Sequence, residues 1–278
     1  MGSRHGAIGT ACRHLGLAAA MSWLLAPVFA QISSPCALEP VGTATVGALL
    51  DGRSFALDDG REIRLPGIEV PPLPRPGEAG VRADAGLAAR AALAAMLAGQ
   101  TVELRRSAPL ADRYGRTLAH AWIVGAGPPR SAAHEMLGQG FARVSAQVGN
   151  VACASELLAR EARARAARLG LWGEAYYAVV GAESLPDLLA ERGRFTVVEG
   201  RVATVRESGG IIYINFGRRW SQALTVTILK RNERTFIAAG REPRRLANLK
   251  LRVRGWIEER SGPRIEATSP EQIEIAER

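Results

Sequence analysis

At 278 residues, 47% of them apolar, the chain is long enough for a leader and two small domains and too apolar to be disordered throughout. Its net charge of +9 is almost all arginine, since Lys230 and Lys250 are its two lysines, and the excess is concentrated late: residues 194–278 hold 17 basic and 10 acidic groups, or +7. Beyond residue 30 the histidines are His120 and His134, and no HExxH, CxxC, GxSxG or phosphate-loop pattern occurs, so zinc-hydrolase, thiol-redox, serine-hydrolase and nucleotide-loop chemistry find no support.

Met1–His14 is polar and carries Arg4 and Arg13, Leu15–Ala30 is apolar, and Val28-Phe29-Ala30 ends on a small residue. This is the pattern of a cleavable signal peptide over 1–30, which places the mature protein in the periplasm or outside the cell. A retained anchor is the alternative, but Leu15–Ala30 is broken by Pro27 and falls short of the ~20 residues a span needs. No later segment reads as a membrane span. Cys12 leaves with the leader, so Cys36 and Cys153 remain as an even pair in an oxidising compartment, and a disulfide between them is expected.

Thr43–Leu50 reads as an opening strand. Ser54–Leu57 and Arg61–Leu65 then flank Asp58-Asp59-Gly60, a turn that suits a hairpin. Ile63 and Leu65 alternate with Glu62 and Arg64, so Arg64 points away from the apolar face. Pro71, Pro72, Pro74 and Pro76 make a loop by removing backbone donors. Gly77–Ala98 follows as an alanine-rich helix with Val81, Leu87, Ala91, Ala94 and Ala98 on one expected face, and Gly99 caps it. Val102–Arg105 and Thr117–Val124 read as strands, Ser131–Leu137 as a short helix, and Cys153–Leu169 as a longer amphipathic one. Residues 176–193 read as a linker. Beyond it the period changes to strands: Phe195–Val205, Ile211–Phe216, Leu224–Leu229, Leu249–Ile257 and Ile265–Ile275, with room for a short helix in Asn232–Asn248.

Three motifs stand in order in the first half: Asp51-Gly52-Arg53-Ser54, Arg64-Leu65-Pro66-Gly67-Ile68-Glu69-Val70-Pro71-Pro72 and Asp112-Arg113-Tyr114-Gly115-Arg116, with a later Leu169-Gly170-Leu171-Trp172. They resemble the signature of the thermonuclease, or staphylococcal nuclease-like, family. The resemblance implies an α+β fold over 41–175: a five-stranded OB-fold barrel with added helices. Residues 194–278, five strands with an insertion between the third and fourth, resemble a second OB-like β-barrel.

Members of that family cut phosphodiesters with Ca²⁺, a carboxylate general base and two arginines. The metal takes hard oxygen ligands, and the arginines clamp the phosphate and stabilise developing charge. By the resemblance, Arg64, Arg116 and Glu69 are the catalytic candidates, and Glu69 and Asp51 the candidate metal ligands, with Ca²⁺ the cofactor if the protein is active. Two departures matter. Arg53 stands where a metal-ligating aspartate is expected, and Pro72 where the general-base glutamate is expected; proline accepts no proton. The bland reading pairs Arg53 with Glu69 in the former metal pocket.

In the C-terminal half Tyr213, Phe216, Trp220 and Trp256 lie among many arginines, the composition of a single-strand groove that stacks bases and attracts phosphate. Phe216 and Trp256 read as core, Tyr213 and Trp220 as stacking candidates. The expected nucleic-acid contacts are thus Arg64, Arg116, Tyr114, Tyr213, Trp220, Arg218 and Arg219, and the expected partner is single-stranded nucleic acid or another anionic polymer. Three functions stay open: a nucleic-acid-binding protein with impaired hydrolysis, an active endonuclease with a remodelled site, and a protein–protein scaffold of the cell envelope.

Overall fold

An Asp-Gly turn sets the register of the first sheet. Gly60 at φ 85° takes the left-handed backbone the turn needs, and it pairs Ser54 with Arg64, Phe55 with Ile63 and Ala56 with Glu62. In this computed structural model the described residues are Gly2, 36–106, 111–112, 115–125, 127–148 and 151–277; the expected leader (Gly2 apart) and Tyr114 lie outside them. Among the described residues no helix is long and apolar enough to cross a membrane.

The hairpin strands β2 (Ser54–Leu57) and β3 (Glu62–Arg64) follow β1 (Glu39–Leu49), and β4 (Ile68–Glu69) comes after the Pro66-Gly67 break. Helix α1 (Val81–Leu97) leads to β5 (Thr101–Arg106). The strand expected over Thr117–Val124 is two, β6 (Thr117–Leu118) and β7 (His120–Ile123), interrupted at Ala119. β8 (Arg130–Ser131), α2 (Ala132–Gly138), β9 (Arg143–Val144) and α3 (Val151–Ala166) complete the first half. Its main sheet has seven strands in the order β6-β3-β2-β1-β5-β7-β8, and β4 pairs with β9 in a separate ladder. Cys36 and Cys153 form a disulfide that ties the entry to β1 to the start of α3.

The face of α1 differs from expectation. Ala83, Gly86, Ala89, Leu93 and Leu97 are buried, whereas Val81 and Leu87 are exposed. In so alanine-rich a helix hydropathy barely distinguishes the faces, and backbone approach decides instead. A Cβ on Gly86 would come within 2.2 Å of the Pro72 carbonyl oxygen, so the helix lies directly against the proline loop.

Residues 176–193, expected as a linker, are packed. β10 (Val180–Gly181) runs parallel to β11 (Phe195–Arg201), and Leu188 of α4 (Leu185–Ala190) is buried in the second core. A two-residue strand and a six-residue helix leave no periodicity to read. The first strand expected beyond them bends at Val202 into β12 (Thr204–Ser208). β13 (Ile211–Asn215) and β14 (Thr225–Leu229) follow, then α5 (Glu233–Ala238) within the expected insertion. Next come β15 (Lys250–Trp256) and β16 (Glu258–Glu259). The last expected strand divides into β17 (Pro263–Glu266) and β18 (Ile273–Glu277), separated by a turn of 3-10 helix at Pro270–Gln272. The strands form a four-stranded sheet, β10-β11-β15-β18, and a five-stranded one, β12-β13-β14-β17-β16, which share a single core.

Ser34–Arg278 is one compact unit with two large cores. Between the cores, Trp172 and Ala164 of the first half pack on Val197 of β11. Beside them Arg254 of β15 is fully buried: it donates to Glu161 of α3 at 2.8 Å and to the Val144 carbonyl at 3.2 Å, and it pairs with Glu274 of β18. Arg165 holds the other oxygen of Glu161 at 2.9 Å. Burial works against ionisation of Glu161, but Arg254, the Val144 N–H and Arg165 outweigh it and hold the carboxyl below its ordinary range.

Candidate functional site

Arg53 is placed by its own turn. Asp51 accepts from the Arg53 N–H at 2.8 Å, and the Leu65 N–H donates to the Arg53 carbonyl at 2.8 Å, which locks the turn to the end of β3. Gly52 lets α1 approach, since a Cβ there would meet the Ala89 methyl at 2.8 Å. The guanidinium then crosses to β4. One nitrogen, Nη1, donates both to Glu69 Oε2 at 2.6 Å and to the Ile68 carbonyl at 2.8 Å. The pairing of Arg53 with Glu69 is thus present.

Arg64 sits at the end of β3, between β2 and β6, and its Nη1 lies 3.4 Å from the Ser54 hydroxyl across the hairpin. Among the described residues it has no carboxylate partner. Burial pulls its guanidinium below the ordinary range, the positive neighbours Arg53 and Arg116 pull in the same direction, and Asp51 and Glu69 partly offset them. The Arg116 loop is brought alongside because β6 runs parallel to β3, with Arg64 opposite Leu118. Asp112 closes that loop: its carboxylate accepts from Arg116 Nε at 2.8 Å and Nη2 at 2.7 Å, and Gly115 turns at φ 80°. Arg53 and Arg116 therefore stand near enough to act on the charge of Arg64, and both are engaged by carboxylates, whereas Arg64 has no such partner among the described residues; Arg53 and Arg64 line the cavity, and Arg116 does not. A guanidinium of this kind pairs with carboxylate or phosphate oxygens.

The cavity beside them, about 600 Å³, is lined by Arg53, Arg64, Glu69 and Asp112 on one side. Phe195, Trp256 and Gln272 of the C-terminal half stand on the other. Asp51 is spent on its own turn and does not line the cavity. The residues present do not fit a Ca²⁺ ion. The Glu69 carboxylate and the Ile68 carbonyl, the oxygens a hard cation would use, both accept from Arg53. Among the described residues no three of His, Cys, Asp and Glu are grouped to hold a metal.

Residues 62–174 match the family model of the staphylococcal nuclease homologues. This segment is a staphylococcal nuclease-like domain. The match takes in Arg64, Glu69 and Arg116 of the nuclease-like domain and leaves Asp51, Arg53 and the second half outside it. No curated protein matches the chain.

The C-terminal candidates divide between two places. Tyr213 and Trp220 line one cavity of about 480 Å³, with Arg206, Arg260 and Arg264 and no carboxylate. Arg218 and Arg219 lie elsewhere, in a depression with Arg201 and Asn248, so the structure does not bring them to the aromatic pair. Phe216 is buried as expected, but Trp256 is not core: 53% of its surface is exposed. Strand parity carried the missed signal. Trp256 shares a face of β15 with Arg252 and Arg254, opposite the buried Leu251 and Val253.

Proposed function

We propose that the protein binds single-stranded nucleic acid in the cell envelope and that metal-dependent hydrolysis is impaired. The observation that carries this reading is the Arg53 guanidinium seated on Glu69 and on the Ile68 carbonyl. Where a divalent cation would polarise a phosphate, a fixed monovalent one stands instead, and Pro72 supplies no base. Arg64, paired with no carboxylate among the described residues, supports a phosphate contact, with Arg116 adding its field. The second, OB-like half contributes the cavity of Tyr213 and Trp220, a stacking groove walled by Arg206, Arg260 and Arg264, the last two of which pair with Glu258. The Cys36–Cys153 disulfide and the leader pattern support export to the periplasm or beyond.

The test is a fluorescently labelled single-stranded oligonucleotide followed for binding by anisotropy and for cleavage on a gel, with Ca²⁺ and with chelator. Binding is expected to be the same in both, to weaken steeply with salt, and to occur without cleavage above a mock-purified control. Chelator-sensitive cleavage would overturn the reading. Tyr213→Ala with Trp220→Ala is expected to weaken binding by about 1–3 kcal/mol per stacked base lost.

A further inference from the structure

Trp256 is an exposed indole on a rigid mount. It packs edge-on against Phe195, with ring centres 6.1 Å apart and planes at 71°, and the rest of the ring faces outward. Phe195 is itself buried, with the Arg143 guanidinium 5.1 Å from its ring centre. Trp256 lines the same cavity as Arg53 and Arg64, although it belongs to the other half of the chain.

The two sides of that cavity are joined by buried contacts. β9 pairs Val144 with Ile68 and Arg143 with Glu69, so it carries the strand that Arg53 grips. Arg254, two residues before Trp256, donates to the carbonyl of that same Val144 and to Glu161. Gln272 braces the wall from behind, donating to the carbonyls of Arg254 and Glu266. The position of the indole relative to the arginines is therefore set by hydrogen bonds to the nuclease-like domain.

We infer that Trp256 completes the arginine site as a stacking wall, so that the cavity takes one nucleotide unit of a single strand with its phosphate at Arg64 and its base on the indole. The inference rests on the phosphate reading above and adds a base contact to it. A volume of about 600 Å³ lies within the ~300–1,000 Å³ of small-ligand sites. The wall also bears Glu258 and Glu266. Glu258 is engaged by Arg264 at 3.0 Å, whereas Glu266 is exposed and makes no ion pair among the described residues. A carboxylate on the far wall disfavours a second phosphate there, so the strand enters with its phosphate toward Arg64 and its base toward the tryptophan. A duplex, whose bases are paired and stacked internally, has no free face to offer.

The experiment compares two labelled strands of equal length, one with bases and one abasic, on the full chain. Wild type is expected to bind the base-bearing strand more tightly. Trp256→Ala should weaken that strand by about 5- to 100-fold and leave the abasic strand within about twofold, while Trp256→Phe restores most of the loss. Arg64→Ala should weaken both strands. If Arg64→Ala weakens both but Trp256→Ala does not discriminate between them, the stacking inference falls and the phosphate reading survives. If Arg64→Ala changes neither, the phosphate reading falls, and this inference with it. Equal wild-type affinity for the two strands also overturns the stacking wall.

Discussion

Removing the Arg254 guanidinium should destabilise the protein more than any exposed ion pair in it. Arg254 and Glu161 are both 0% exposed, so water neither screens the pair nor replaces a lost partner. In Arg254→Met the volume is roughly kept, but Glu161 loses its 2.8 Å contact, Val144 loses a donor to its carbonyl, and Glu274 loses a partner. Glu161 retains the Val144 N–H at 2.6 Å and Arg165 at 2.9 Å, and Glu274 retains Arg252 at 3.5 Å, so the loss is partial. Removing one partner of a buried ion pair typically costs about 3–5 kcal/mol, which is the loss expected here. For a unit of this size that lowers Tm by about 6–20 °C. Urea unfolding at pH 7 measures it. Adding Glu161→Gln to Arg254→Met should recover part of the loss, because the stranded charge is then gone. The sign of the pH effect follows from the depressed Glu161 carboxyl. Its contribution is present above the unfolded value of ~4.3 and disappears as pH falls through the lower folded value, so the gap between wild type and variant narrows in acid. A loss under about 1 kcal/mol, or no recovery on adding Glu161→Gln, would refute the reasoning.

Two further outcomes follow from the disulfide and from a buried histidine of the first half. Reduction of Cys36–Cys153, which closes a separation of 117 residues, should lower the unfolding free energy by about 5 kcal/mol in the chain-entropy model. An unchanged urea midpoint in dithiothreitol, with both thiols then labelled, contradicts that. His120 is buried beside His134, and burial foremost, then the second histidine, push its pKa down to about 4. A neutral buried histidine stabilises fully above the unfolded value of ~6.5 and loses that contribution as pH falls toward the folded value, about 3 kcal/mol in all. His120→Gln should flatten the stability profile between those pH values, and an NMR titration placing the His120 pKa above 6 would remove the basis for it.

The hairpin and the Arg53–Glu69 pair were legible in the residues because the one depends on neighbours close in sequence and the other on motifs with fixed spacing. Asp58-Asp59-Gly60 sets which residue faces which, and the Asp112–Arg116 loop closes on itself within five residues. The inward face of α1 was not legible, since an alanine-rich helix has little hydropathy contrast and the Gly86–Pro72 approach is a contact between distant backbones. The packing of 176–193 was hidden for a related reason: a two-residue strand shows no period until its partner is present.

The sequence by itself determined which side chains the first half can bring to a site: an arginine at 64, a carboxylate at 69, and an arginine at 53 and a proline at 72 where the family resemblance leads one to expect carboxylates. Only the tertiary structure decided that Glu161, on an arginine-rich helix, is fully buried, and that Trp256 leaves the core to face Arg64's cavity. Both outcomes arise where the outer face of β15 meets the other half of the chain. Strand parity puts Arg252, Arg254 and Trp256 on one face, but it does not say whether that face meets water or protein. The burial of Arg254 against Val144 and Glu161, residues 110 and 93 positions away, settles it.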